Sequence, residues 1–448
     1  MHCHLDAVLC TSFSSKITSS RRPLYLNFAL NATYFPTEDY YDYIVVGGGT
    51  AGCPLAATLS QTFRVLVLER GGVPYGNQKL MNQEGFLTAL TEVDTYDCPA
   101  QTFTSEDVVL NARGQVLGGS SAINASFYSR ADPEFYASSG VDWDLSLVNQ
   151  SYDWVEKGAV FRPELKNWQS AVRDALLEAG IDPYHGFSLE HLVGTKIGGS
   201  TFDSSGKRHR AADFLNYAKP ANIKVAIYAS VERVLLASSS KVMSRLSAIG
   251  VVFRDEMGRY HHAMVKEKGI PVVYHHPNEG QFVYDNLRNG ISILPPIPLE
   301  YSLIQVAGIT EMGAYLEAAS NVVPFTTPSR SVFVRPPSSP LLLTVATIME
   351  KIVGPISTGS LRLASTNIRV NPIVRFNYFS NSRHGEMCER FVGPSLPVDQ
   401  SNYEMMANFA SVPVVDGSTF TISPGTNPQA TVMMLGRYVG MRITKESD

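Results

Sequence analysis

Residues 41–69 decide the fold. They read Tyr41-Asp42-Tyr43-Ile44-Val45-Val46-Gly47-Gly48-Gly49-Thr50-Ala51-Gly52, then Cys53 to Leu59, then Val65-Leu66-Val67-Leu68-Glu69. Tyr43 to Val46 is a short continuous apolar run, the pattern of a parallel strand buried on both faces. It enters a GxGxxG turn made by Gly47, Gly49 and Gly52. Small residues from Cys53 to Leu59 suit a helix packed on a sheet, and Val65 to Leu68 reads as the next strand. Gly47 supplies the tight turn, Gly49 lets a pyrophosphate approach the backbone, and Gly52 lets the helix pack on the strand. The helix N-terminus offers N–H groups and a positive dipole end to phosphate. Glu69, 22 positions after Gly47, stands where a carboxylate accepts hydrogen bonds from an adenosine ribose. Taken alone, GxGxxG is only a glycine-rich turn. With strand, helix, second strand and acid in order it predicts a dinucleotide site.

A second glycine-rich run selects the dinucleotide. Arg113-Gly114-Gln115-Val116-Leu117-Gly118-Gly119-Ser120-Ser121-Ala122-Ile123-Asn124-Ala125-Ser126 has no role in a nicotinamide domain. An isoalloxazine ring, being bulkier, needs further chain to clasp it. Near the C-terminus, Val414 to Phe420 reads as strand and turn. Asn427 then Pro428 reads as a helix start, with an N-cap and Pro at the first position. The helix that follows, Gln429 to Gly440, is apolar on most faces and therefore buried. Its N–H groups want an anionic or carbonyl partner such as the pyrimidine edge of a flavin.

These motifs resemble the glucose–methanol–choline (GMC) family of FAD oxidoreductases, in its plant mandelonitrile lyase-like and HOTHEAD-like branch. The likeness rests on Tyr41 to Ala57, Val116 to Asn124, Gly280 to Asn286 and Val415 to Gly440, and extends from about Tyr41 to Met441. It implies a mixed α/β fold: a Rossmann-like FAD domain with a substrate domain on an antiparallel sheet. The implied organisation is a leader (1–40), FAD-domain segments at 41–135, 225–269 and 396–448, a cap segment at 136–224 and a substrate-binding segment at 270–395. Carried over by position, FAD would meet Gly47, Gly49, Thr50, Ala51 and Gly52 at the pyrophosphate and Glu69 with Arg70 at the ribose. Val231 would meet the adenine. Val116, Ser120, Asn124, Ala125, Ser126 and Phe127 would line the flavin. Asp416, Gly417, Asn427 and Pro428 would complete the site. The substrate would be a small cyanohydrin or alcohol. A secreted, glycosylated monomer is also implied, although residues 1–40 make a poor signal sequence because Asn27 interrupts the apolar run. Sequons stand at Asn31, Asn124 and Asn149.

Three stretches of the family pattern are missing, each by a few dozen residues. They fall after Gly269, at about Glu389 to Phe391, and between Phe409 and Val414, where the family carries its catalytic histidine. All ten histidines lie at or before His384. An alcohol oxidase and a hydroxynitrile lyase both need a base for the substrate hydroxyl proton, and imidazole suits either. Asn427 occupies the second position of the family's pair; it can orient a hydroxyl but cannot take its proton. The expectation is an FAD-binding protein with little or no turnover, or an inactive flavin- or ADP-binding relative, or a fragment that forms no stable core.

Other classes are excluded. A net charge of −4 and pI near 6.2 do not suit a nucleic-acid platform. No apolar run is long enough to span a bilayer. Five scattered cysteines give neither a disulfide scaffold nor a CxxC site. His261-His262 and His275-His276 suggest zinc, but adjacent residues of a strand face opposite ways, so no metal site is expected. His185, His191 and His209 are assigned to loops of the substrate domain. Ser120-Ser121 is not a nucleophile elbow.

Overall fold

The computed structural model describes residues 22–86, 98–238, 246–266, 270–272, 281–283, 285, 288–325, 341–352, 357–365, 367, 370–378, 380, 414–420 and 422–447. The three junctions at which family segments are expected to be missing fall in or beside stretches outside these residues, as do His275, His276, Cys3, Cys10 and Cys388.

The first sheet contains the opening motif. Strand β1 (Ala29–Asn31) and, further on, β2 (Glu38–Tyr41), β3 (Tyr43–Val46), helix α1 (Gly52–Leu59) and β4 (Val65–Leu68) follow in order. The strand order is β1, then Ile223–Ile227, then β4, then β3, and every pairing is parallel. All four residues of β4 are buried, as the uninterrupted Val-Leu-Val-Leu run requires.

Residues 22–40, read from sequence as part of a leader, belong to this fold. β1 pairs with Ile223–Ile227 and β2 pairs in parallel with Tyr260–Val265. Tyr25 is 1% exposed and its backbone N–H donates to the Asn216 side chain at 3.3 Å. The apolar residues around Asn27 fill a core, which explains both their number and the polar interruption.

β2 belongs instead to a second sheet, with Ser230–Ser238, Leu246–Arg254 and Tyr260–Val265. A third sheet has six strands in the order Arg288–Ile293, Leu341–Ile352, Ala314–Phe325, Val306–Ile309, Gly194–Ile197 and Tyr184–Phe187. It is antiparallel except for its last pair. The mixed α/β fold with a separate antiparallel sheet is therefore present.

The C-terminal helix spans Gln429–Ser447, longer than the pattern predicts. It packs along α1 so closely that glycine is required. A Cβ on Gly436 would stand 2.2 Å from the Ala51 carbonyl oxygen, and one on Gly440 2.8 Å from Thr58 Cβ. Val414 to Phe420, expected as strand and turn, contains no strand. Gly417–Thr419 forms a 3₁₀ turn, and the Asp416 side chain accepts from the Ser418 N–H at 2.7 Å. β3 is consequently the last strand of its sheet, and Val46 is exposed.

Candidate cofactor site

The glycines of the opening turn take the backbone geometry their spacing predicts. Gly47 has φ 94° and donates to the Leu68 carbonyl at 2.8 Å. A Cβ on Gly52 would lie 2.1 Å from the Gly47 oxygen, so helix and turn touch. A Cβ on Gly49 would meet nothing within 4 Å: this backbone faces open space, as an approaching pyrophosphate needs. Helix α1 starts at Ala51 with no side-chain cap, so Thr50 and Ala51 leave its N-terminus to an anion.

The second glycine-rich run lies on the first. Gly118 N–H donates to the Gly48 carbonyl at 2.6 Å, and a Cβ on Gly119 would stand 2.8 Å from Gly49 Cα. Gly118 and Gly119 both have positive φ, 97° and 59°. Val116 is buried, while Ser120 is exposed and accepts from the Gly114 N–H at 3.2 Å.

Glu69 closes the turn from the other side. Its carboxylate accepts from the backbone N–H groups of Gly48 at 3.0 Å and Gly71 at 2.8 Å. It is 6% exposed, and burial raises its pKa against those bonds. The carboxylate, which the backbone of Arg70 also meets, thus braces the glycine turn. Ala229, two residues before Val231, donates to the Glu69 carbonyl at 2.8 Å, which brings the Val231 strand to the ribose end. Arg70 donates to Gln101 Oε1 at 2.6 Å and Arg113 Nε to the same oxygen at 3.1 Å. Nη2 of Arg113 is buried without a hydrogen-bond partner, and burial, then the Arg70 charge, pushes its pKa down to about 10. Two guanidiniums thus share one amide oxygen. Sequence reading quoted Arg113 without giving it a role; its distance in sequence from Arg70 hides the pairing.

At the flavin end, Asn124 joins three segments. Its Oδ1 accepts from Ser126 N–H at 3.0 Å and Arg208 Nη1 at 3.1 Å, and its Nδ2 donates to Gln429 Oε1 on the C-terminal helix. Gln429 Nε2 and Arg208 Nε are buried and without partners. An orphaned buried amide N–H costs about 1–3 kcal/mol, and the carbonyl-rich pyrimidine edge of a flavin would remove that cost. Ser126, at φ 71°, pays backbone strain to turn the chain there. Ala125 is half-buried and Phe127 buried, with the Phe127 ring edge-on to Tyr315 at 6.3 Å. Because Asn124 is committed to this network, its sequon is not a surface feature. Asp416, Gly417 and Pro428 are exposed, and a Cβ on Gly417 would stand 3.7 Å from Val432 Cγ2.

Asn427 departs most from expectation. Its Oδ1 accepts from Lys351 Nζ at 2.6 Å and its Nδ2 donates to Glu317 Oε1 at 2.6 Å. Lys351 Nζ also lies 2.6 Å from Glu317 Oε2, with side-chain exposures of 7% and 0%. The amide is therefore engaged by the six-stranded sheet, with its carbonyl on Lys351 and not on the helix N–H groups that an N-cap would serve. Among the described residues no imidazole is a hydrogen-bond partner of Asn427. His261 is buried and structural: it bonds the Pro36 carbonyl at 3.0 Å and Asp255 at 3.2 Å and stacks on Phe253, while His262 is exposed. His185 meets the Val193 carbonyl and His209 meets Asp203.

His191 is different. It lies in a loop of the six-stranded sheet, as expected, yet that loop reaches the site. A Cβ on Gly425, two residues before Asn427, would stand 3.3 Å from His191 Cε1 and 2.9 Å from Asp132 Cβ. Nε2 lies 3.6 Å from Asp132 Oδ2, and Nδ1 is buried and unpartnered. Its ring stacks on Tyr315 at 6.2 Å, and the Tyr315 hydroxyl meets Thr426 Oγ1 at 3.3 Å. Burial lowers the His191 pKa despite Asp132.

This convergence of two glycine loops and a C-terminal helix has a family counterpart. Residues 41–274 match the GMC oxidoreductase family model. The chain belongs to the GMC oxidoreductase family. It is 54% identical to an (R)-mandelonitrile lyase-like protein of Arabidopsis thaliana, over 95% of this chain and 94% of the relative. It is 39% identical to (R)-mandelonitrile lyase 1 of Prunus serotina, over 96% and 91%. Among solved structures, a formate oxidase of Aspergillus oryzae, studied for FAD modification, superposes with a TM-score of 0.68 at 16% identity, covering 92% of this chain and 99% of that one. The cofactor that goes with this GMC fold is FAD, and the loops fit it. The Arabidopsis match runs over 517 positions whereas this chain has 448 residues, so at least 69 aligned positions, the difference, have no residue here. Among the described residues no helix is long and apolar enough to cross a membrane.

Proposed function

We propose that this chain is an FAD-binding protein of the mandelonitrile lyase-like branch in which the family's catalytic histidine segment is missing. Cyanohydrin cleavage and alcohol oxidation both depend on that base. One observation carries the reading: Asn427 is engaged by Glu317 and Lys351, with no imidazole among its partners. When bound, FAD would supply hydride acceptance in an oxidase and a structural platform in a lyase. Gly49, Thr50, Ala51 and Arg113 would hold its pyrophosphate, Glu69 and Val231 its adenosine half, and Asn124, Phe127 and Gln429 its ring. His191 does not replace the base on this reading. Its ring packs beside Gly425 and Tyr315.

The alternative is a flavin- or ADP-binding protein without catalysis, which the same loops would serve. Purified protein with a visible flavin spectrum supports either; a colourless, unfolded product rejects both. Turnover of mandelonitrile or a benzylic alcohol at the rate of a full-length relative would overturn the loss of the base. Secretion, a monomeric state and glycosylation at Asn31 and Asn149 accompany this reading. Asn149 is exposed on the helix Leu145–Ala159, whereas Asn31 already bonds Glu256 and the Thr33 N–H.

A further inference from the structure

Asparagine has two nearly isosteric ends, and nothing in its own shape decides which way the amide lies. Around Asn427 the decision is made by charge. A carboxylate only accepts and an ammonium only donates. Glu317 therefore takes the Nδ2 end and Lys351 the Oδ1 end, both at 2.6 Å. The pair is itself closed at 2.6 Å and almost wholly buried. Tyr315 and Glu317 are alternate residues of one strand, on one face of it, and Tyr315 is opposite Lys351 on the next strand. The Lys351 ammonium stands 5.3 Å from the centroid of the Tyr315 ring, whose hydroxyl meets Thr426 beside Asn427. Each bond to the amide is charge-assisted, the stronger class. They leave one N–H of Nδ2 and one lone pair of Oδ1 uncommitted, a donor and an acceptor in fixed relation.

We propose that Glu317 and Lys351 are positioning residues that hold the Asn427 amide in one of its two orientations, and so determine which hydrogen-bonding group a ligand hydroxyl meets at the flavin front. This rests on the FAD reading for its functional consequence, but the orientation itself needs no cofactor.

Two readouts separate the claims. In ¹⁵N-labelled protein, the Asn427 side-chain NH₂ pair is identified by its loss in N427D. It is expected downfield in the unmodified chain, because one proton is donated to a carboxylate. In E317Q it moves toward ordinary amide positions, and E317D restores it in part. K351M would leave Glu317 buried and uncompensated and is expected to fold poorly. E317Q/K351M removes both charges together and keeps the fold testable. The second readout is the affinity of FAD-loaded protein for benzyl alcohol, followed by perturbation of the flavin spectrum. It should weaken about tenfold or more in E317Q and in the double variant, the order expected for a bond to a charged group, and recover in E317D. An Asn427 resonance indifferent to E317Q, or equal benzyl alcohol affinity in all variants, would overturn the proposal. A protein that carries no flavin while its Asn427 resonance responds as described would count against the FAD reading alone.

Discussion

At the pyrophosphate end of the site, backbones hold one another. Gly52 rests on the Gly47 oxygen, Gly119 on Gly49 Cα, and Gly436 on the Ala51 oxygen. At the front, side chains do the holding: Asn427 by Glu317 and Lys351, Gly425 by His191 and Asp132. The first end depends on residues without side chains at short spacing, and deletions elsewhere leave it intact. The second depends on particular functional groups converging from distant segments. On the proposed reading, a chain that lacks one such segment keeps the means to bind a cofactor while losing the means to use it.

The largest test is rate. With no family base at the front, mandelonitrile cleavage should fall on the order of a hundred to ten-thousandfold below a full-length relative. Inserting the relative's segment between Phe409 and Val414 should restore much of it. Equal rates before and after insertion would erase the difference between the two ends.

Glycine substitutions probe the pyrophosphate end. Gly52→Ala places a Cβ 2.1 Å from a backbone oxygen, so it should lower stability by at least about 1–3 kcal/mol and lose flavin. Gly49→Ala meets nothing in the protein. It should melt normally while binding FAD more weakly. Thermal unfolding and flavin per chain, measured together, would refute these roles if Gly49→Ala kept full flavin or melted as early as Gly52→Ala.

A pH test bears on the front. Lys196, fully buried, donates to Ser129 Oγ at 2.7 Å, and burial pushes its pKa from 10.5 down to about 7. The unfolded chain then holds the proton more readily than the folded one between those values. Stability should therefore rise with pH across that window. Lys196→Met should flatten the rise, read as denaturant midpoints at about pH 7.5 and 9.5; parallel slopes in the two proteins would contradict it.

The smallest effect concerns His191. Its lowered pKa favours the neutral ring in the fold, so its contribution is present above the unfolded value of about 6.5 and is lost as pH falls. His191→Gln should soften acid destabilisation and leave flavin occupancy near normal. If it instead abolished residual turnover while sparing stability, His191 would be a base and the front would not be empty.

What could be read from the sequence follows the same division. β3, α1, β4 and the Gly47, Gly49 and Gly52 roles were legible because each depends on neighbours within 30 residues. The seating of Gly118-Gly119 on Gly49 was not legible, because the two loops lie about 70 residues apart in the chain. The packing of residues 22–40 was misread, since Tyr25 and β1 find their partners near Asn216 and Val225, far along the chain. Val414 to Phe420 has strand composition but lies outside the sheet, where Asp416 bonds its own turn. Glu317 and Lys351 gave no signal at all: a charged residue in a strand reads as an outward face until the cross-strand register and the C-terminal loop are known.

The contact between Gly436 and the Ala51 oxygen has a consequence for biosynthesis. The glycine loop at 47–52 leaves the ribosome long before the helix Gln429–Ser447 that backs it. Domains generally fold from the N-terminus as they emerge, but this loop gains its backing only once Gly436 has been made. On the proposed FAD reading, a nascent chain stalled before Gly436 should hold flavin poorly however well its opening motif had formed.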